Sequence, residues 1–316
     1  MQNVHAVFNG TFDNLENIKI SPLSRAYTFS DSVYEVIPFH NAKGIAFDRH
    51  IKRLQKSCNS LSISANIDLI SKEIIELINK SKFKDGYVYY QVSRGVDQIR
   101  SHMFDADIST ETFGYVVEHT FEAQSLKVML CEDVRWQRCD IKSTSLLGNI
   151  MSMNNAKNSG CDEVIMHKDR VITEGGASNV FFASNDCVYT PNLSKNILPG
   201  ITRELLIEKI KASGINVQEG SFKIDDLTDA KSIWLTSSTK GLAQVIEITN
   251  QETNIVVDHP LFLECEKIFK NNFLSWKSDL LPYYLALAKT DLLSCRPILL
   301  RLNLIHKLFS EVKAFF

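Results

Sequence analysis

Apolar residues recur at helical spacing in two early stretches. Ile51, Leu54 and Cys58 do so over Asp48–Cys58, and Ile70, Ile74, Leu77 and Ile78 over Asp68–Lys80, so each stretch is predicted to be a helix with one buried stripe. Strands are predicted around Val4–Phe8, Val33–Pro38 and Tyr87–Ser93, the last being aromatic and β-branched and following the turn Lys84-Asp85-Gly86. Strand-like Tyr115-Val116-Val117 and Val128-Met129-Leu130 flank the polar stretch Glu118–Gln124, which reads as a linker. Beyond it, strands are expected at Glu163–His167, Val180–Ala183, Val188–Thr190, Ser232–Thr236 and Gln244–Ile248. Helices are expected near Leu146–Asn158, Arg203–Ser213 and Pro260–Trp276. The pattern predicts an α/β (or α+β) chain with a small domain over 1–120, a larger one over 121–278 and an extension over 279–316. It contains no internal repeat and no low-complexity tract.

Composition narrows the function. The 316 residues include 44% hydrophobic and 23% charged positions, the balance of a globular protein. With 35 basic against 37 acidic residues the chain has no broad electrostatic footprint for nucleic acid, which makes a small-molecule substrate the default. The seven cysteines are scattered without any C-x-x-C pair, so reduced thiols in a cytoplasm are expected, and the first residues carry no secretory pattern. In the extension, the longest uncharged run is Leu280–Ala288, nine residues. A membrane span needs about 20. The extension is expected to be an added helix.

Three segments carry candidate chemistry. Lys142 lies in Arg138-Cys139-Asp140-Ile141-Lys142-Ser143, directly before a helix-like stretch; a lysine alone is ordinarily a solvated surface residue. Thr173-Glu174-Gly175-Gly176-Ala177-Ser178 places an acid and a glycine turn before the strand at Val180. Glycines there permit close backbone approach to a ligand, although such a turn is commonly a plain connection. Ile197-Leu198-Pro199-Gly200-Ile201-Thr202-Arg203 runs from a turn into a helix for which Thr202 is the expected N-cap. A helix start of this kind can bind phosphate through its free N–H groups and dipole. The hydroxyl-rich Thr236-Ser237-Ser238-Thr239 follows an apolar strand and offers further donors.

Taken in order, these segments resemble the class IV (fold type IV) aminotransferases, most closely the bacterial D-amino-acid aminotransferases. The likeness begins at Tyr27-Thr28-Phe29-Ser30-Asp31-Ser32-Val33-Tyr34-Glu35-Val36, passes through His50-Ile51-Lys52-Arg53-Leu54 and Gln91-Val92-Ser93-Arg94-Gly95, and ends near Trp276. It is strongest over Asp133–Ser143 and Leu146-Leu147-Gly148. The resemblance implies a two-domain architecture, with a small α/β domain and a larger one built on a β-barrel-like core, and pyridoxal 5'-phosphate as cofactor. Lys142 would form the Schiff base with it and Glu174 would face its pyridine nitrogen. Arg53, the Ile201-Thr202 helix start, Ser237 and Ser238 would hold its phosphate, with Leu198 against its ring.

Arg100-Ser101-His102 matches the Arg-x-His element that, with a tyrosine matching Tyr34, grips the substrate's α-carboxylate in D-amino-acid aminotransferases. There the Arg and His come from the neighbouring subunit, so a homodimer is implied. The implied reaction is ping-pong transfer from a D-amino acid such as D-alanine to a 2-oxo acid such as 2-oxoglutarate. Branched-chain L-amino-acid aminotransferases, aminodeoxychorismate lyases and a cofactor-binding relative without turnover are the alternatives. The chain departs from the family pattern in three places. The Arg94–Arg100 loop is one residue longer, Ser32 stands where glycine is usual, and Gly176-Ala177 replaces a serine pair.

Overall fold

The computed structural model describes residues 4–184 and 186–273, which fall within one compact unit. The first half forms six strands: β1 (His5–Phe8), β2 (Thr11–Asn14), β3 (Ser32–His40), β4 (Lys43–Gly44), β5 (Asp85–Ser93) and β6 (Glu111–Glu118). They make one antiparallel sheet in the order β2-β1-β6-β5-β3-β4. Helices α1 (Arg25–Phe29), α2 (Phe47–Ser60) and α3 (Ile67–Ser81) accompany it. The apolar stripe read from the sequence is the one α3 buries: Ile70, Ile74, Leu77 and Ile78 are all inside. Asn66 starts that helix by accepting the Leu69 N–H on its side chain at 3.1 Å, satisfying a donor the first turn would otherwise leave free.

The second half is an eight-stranded sheet. Its strands are β7 (Gln124–Glu132), β8 (Glu163–Lys168), β9 (Val171–Gly175), β10 (Asn179–Ser184), β11 (Cys187–Pro191), β12 (Asn216–Gly220), β13 (Ser232–Ser237) and β14 (Gly241–Ile248). They lie in the order β12-β11-β10-β13-β14-β7-β8-β9. Helices α4 (Leu147–Asn158), α5 (Ile201–Ala212), α6 (Ile224–Thr228) and α7 (Pro260–Phe273) complete this half.

Side-chain alternation explains why the central strands read as nearly continuous apolar runs. On β10, Val180 and Phe182 enter a core shared with Leu126, Ile165, Ile233 and Val245, around which the sheet curls. Phe181 and Ala183 face the opposite way, into a core capped by Leu206 of α5 and Phe262 of α7. There Phe181 stacks on its cross-strand partner Trp234, with ring centroids 5.8 Å apart.

The predicted core elements are present, with ends shifted by a few residues. Strands β6 and β7 leave residues 119–123 between the two sheets, inside the stretch read as a linker. One expectation is corrected. Thr202 is not the N-cap of α5: Gly200 is, in extended conformation, and Thr202 is the second helical residue. The helix starts earlier because Ile201 is an apolar residue that its first turn buries, and because Gly200 has no Cβ to collide with Asn179 Oδ1. The predicted helical extension, and the predicted end of the last helix at Trp276, lie outside the described residues. Among the described residues, no helix is long and apolar enough to cross a membrane.

Where β5 meets β6, a Cβ on Gly86 would stand 2.2 Å from the Val117 carbonyl oxygen. Gly86→Ala must therefore push the strands apart, and it is expected to lower stability by about 1–3 kcal/mol, the usual cost of overpacking. Urea unfolding measures this, and an unchanged midpoint would contradict so close an approach.

Candidate active site

Lys142 is seated by its backbone. The segment Lys142–Thr144 runs antiparallel beside the start of β3: Tyr34 N–H donates to the Lys142 carbonyl at 2.9 Å and Thr144 N–H to the Ser32 carbonyl at 3.0 Å. On its other side the Lys142 N–H donates to Ser57 Oγ of α2 at 3.2 Å. The half-buried side chain enters a cavity of about 340 Å³, where Nζ lies 4.4 Å from the centre of the Tyr34 ring. Among the described residues no carboxylate pairs with this amine. The departure at Ser32 has a structural use: its buried hydroxyl bonds Thr144 Oγ1 at 2.6 Å and fastens the lysine segment to β3.

Glu174, near the end of β9, lines the same cavity and is buried, with polar partners on both carboxylate oxygens. Arg135 Nη1 donates to its Oε1 at 2.5 Å, while Leu198 N–H and Asn179 Nδ2 donate to Oε2 at 3.0 and 3.2 Å. Arg135 also pairs with Asp133 at 2.7 Å. Two carboxylates thus share one guanidinium, and one negative charge is left over. Burial raises the Glu174 carboxyl from its ordinary 4.5 to about 7, against the opposing pull of Arg135. Asp133 goes the other way. Burial raises it too, but hydrogen bonds and charge from Arg135 outweigh that and hold it below its usual range. A protonated ring nitrogen beside Glu174 would supply the missing positive charge, so the cluster fits the pyridine end of the implied cofactor.

A second buried cluster stands at another wall. Glu35 has no exposed side-chain surface, and Arg53 grips it with a two-pronged pair of bonds at 2.7 and 2.8 Å. His50 Nδ1 lies 2.8 Å from the same carboxylate. Burial raises Glu35, yet Arg53 and His50 together hold it far below the usual carboxylate range. Burial also lowers His50, so its ring is neutral and Nδ1 carries the proton given to Glu35.

Arg53 Nη1 reaches the Pro199 carbonyl at 2.9 Å. Three of its five N–H groups are therefore spent within the protein, and two remain for a ligand in the cavity it lines. Beside it are the α5 start at Ile201 and Thr202, where the first N–H groups lack intrahelical acceptors, and the hydroxyls of Ser237 and Ser238. Thr236 Oγ1, in the same lining, is buried without a hydrogen-bond partner among the described residues. This set of donors fits a phosphate.

Of the residues singled out in the sequence, Tyr34, Arg53, Lys142, Glu174, Leu198, Ile201, Thr202, Ser237 and Ser238 all line this one cavity. Arg100 and His102 do not. They are exposed on the loop after β5, with Arg100 4.6 Å over the Phe29 ring and His102 against the same ring at 5.4 Å. The loop is anchored by Arg25, which pairs with Asp97 at 2.6 Å and donates to the Ser101 carbonyl at 2.7 Å. Sequence reasoning assigned no role to Arg135, Glu35, His50 or Asn179. A close Asp133-x-Arg135 pair in the lysine segment was the one local signal available.

A family model described as "Amino-transferase class IV" matches residues 32–248. The D-alanine aminotransferase of Bacillus licheniformis is 31% identical over 275 residues, which is 85% of this chain and 97% of that enzyme. That of Listeria innocua is 35% identical over 240 residues, covering 71% of this chain and 80% of the relative. Among solved structures, the branched-chain amino acid aminotransferase from Thermobaculum terrenum in its PLP form superposes with a TM-score of 0.78. It is 18% identical and covers 87% of this chain and 96% of its own, a likeness of fold.

Glu174 gives the cofactor-free protein a pH signature. Its folded-state pKa lies above the unfolded one, so between about pH 4.5 and 7 the folded state binds more protons and stability falls as pH rises. Glu174→Gln is expected to remove that part of the slope in urea unfolding across this range. Equal slopes for the two proteins would show that Glu174 is not raised.

Proposed function

The chain belongs to the class IV aminotransferases, and on that premise we propose that it transfers the amino group of a D-amino acid, such as D-alanine, to a 2-oxo acid, such as 2-oxoglutarate, with pyridoxal 5'-phosphate as cofactor. The observation that carries this reading is an amine without a carboxylate partner among the described residues, Lys142, in one cavity with a buried acid cluster left one positive charge short. When bound, the cofactor supplies an electron sink for the carbanion formed as the substrate's Cα proton leaves. Lys142 Nζ is the base that takes this proton, and the Tyr34 ring beside it limits where the amine can swing. Glu174, steadied by Arg135, Leu198 and Asn179, favours a proton on the ring nitrogen. Arg53, the α5 start, Ser237 and Ser238 bind the phosphate.

For the substrate, Arg100 and His102 of a second copy grip the α-carboxylate together with Tyr34, so the working unit is a homodimer. Their exposure on a loop held by Arg25 supports a role outside their own chain's cavity. A guanidinium suits the task because it binds a carboxylate through two parallel hydrogen bonds. The preference for the D form is supported by identities of 31% and 35% to enzymes named D-alanine aminotransferase. A reducing compartment such as the cytoplasm is supported by the free cysteines of the described residues.

With D,L-alanine and 2-oxoglutarate, chiral chromatography is expected to show loss of the D form alone; loss of the L form alone would overturn the stereochemical reading. Lys142→Ala is expected to lower turnover by at least about 10²–10⁴-fold, the range general acid–base catalysis supplies. Borohydride reduction and peptide mapping of the cofactor-loaded protein should label the Lys142 peptide, and an unlabelled Lys142 would end the assignment.

A further inference from the structure

Behind the cavity lies a third buried carboxylate that none of the roles above uses. Glu163, at the start of β8, has no exposed side-chain surface. It accepts Ala177 N–H at 3.1 Å and Ser178 Oγ–H at 2.6 Å, both from the turn that follows Glu174. Its other oxygen is paired with Lys240 Nζ. Lys240 belongs to the turn between β13 and β14, which carries Ser237 and Ser238. The two turns sit at the same end of neighbouring strands, because Asn179 of β10 is the cross-strand partner of Thr236 of β13. One carboxylate therefore ties together two separate walls of the cavity.

Lys240 also acts through its backbone. Its N–H donates to Ser237 Oγ at 3.2 Å. A hydroxyl has one proton to give and two lone pairs to receive. With a lone pair occupied from behind by this N–H, the Ser237 proton is free to point into the cavity that Ser237 lines.

We propose that Glu163 and Lys240 are a positioning pair, which holds the Ser237–Ser238 turn against the turn after Glu174 so that the serine hydroxyls face the cofactor's phosphate as donors. The inference rests on the cofactor reading above and adds to it. Glu163 and Lys240 touch no cofactor atom; they act through Ser237 and Ser178. Removing the pair loosens the phosphate end, whereas at the pyridine end Glu174 keeps its own partners, Arg135, Leu198 and Asn179.

The test titrates cofactor-free protein with pyridoxal 5'-phosphate and, separately, with pyridoxal, which lacks the phosphate, following absorbance and tryptophan quenching. Lys240→Met and Glu163→Gln are each expected to weaken pyridoxal phosphate binding about tenfold, the loss of roughly one hydrogen bond to a charged group. Pyridoxal binding should stay within about twofold, and the double variant should resemble the single ones rather than lose about a hundredfold, since the two residues act as one unit. Lys240→Met keeps the Ala177 and Ser178 bonds to Glu163, so it remains testable should Glu163→Gln fail to fold. Equal losses for both ligands, or no loss in either variant while melting temperature falls, would overturn the pair as a phosphate-positioning device and leave a structural brace. Wild-type protein that takes up neither ligand would instead overturn the cofactor reading itself.

Discussion

A carboxylate removed from water must find donors or cations, and this pocket is framed by three that have done so. Glu35 is matched by Arg53 and His50, Glu174 by Arg135, and Glu163 by Lys240. Each match joins segments distant in the chain, so the clusters determine which loops face one another. They differ in how completely the charge is answered. Glu35 is matched by the Arg53 charge, with a hydrogen bond from neutral His50, and stays ionised, whereas Glu174 shares its guanidinium with Asp133 and stays short of a cation. The second is left open to a cation brought into the cavity. The first behaves as framework.

The framework also joins the two halves of the molecule. Arg53 sits on α2, grips Glu35 of β3 and reaches the Pro199 carbonyl just before α5. Lys142, which belongs to the second half by sequence, is laid along β3 of the first. The cavity is thus a product of both sheets, and neither half alone contains it.

Much of this was legible in the chain. Long elements with a clear period, such as α2, α3 and β5, announce themselves because a buried stripe must repeat. Short elements do not: β2, β4, β12, α1 and α6 have too few residues to show a period. Thr202 misled because its hydroxyl suits a cap, while burial of Ile201 settled where the helix begins. The lysine segment and the acid turn were recognisable as contiguous motifs. The partners that tune them were not, since Arg135 lies 39 residues from Glu174 and Lys240 lies 77 from Glu163. No local pattern links such pairs. Which residues face the cavity of their own chain was equally invisible, and it separates Arg100 and His102 from the rest.

The amine's seat on β3 has a consequence for how such a protein can change over generations. Its register is set by the Tyr34–Lys142 and Ser32–Thr144 bonds, and a slip of one position would turn the lysine to the opposite face of the strand. An insertion there would carry Lys142 out of its place in the cavity. The exposed segment bearing Arg100 and His102 is tied to Arg25 at Asp97 and at the Ser101 carbonyl, and length added between those two ties would cost little loop entropy. The lysine's seat and the exposed loop are therefore mechanically decoupled, leaving selection free to lengthen and resculpt one while the other stands still.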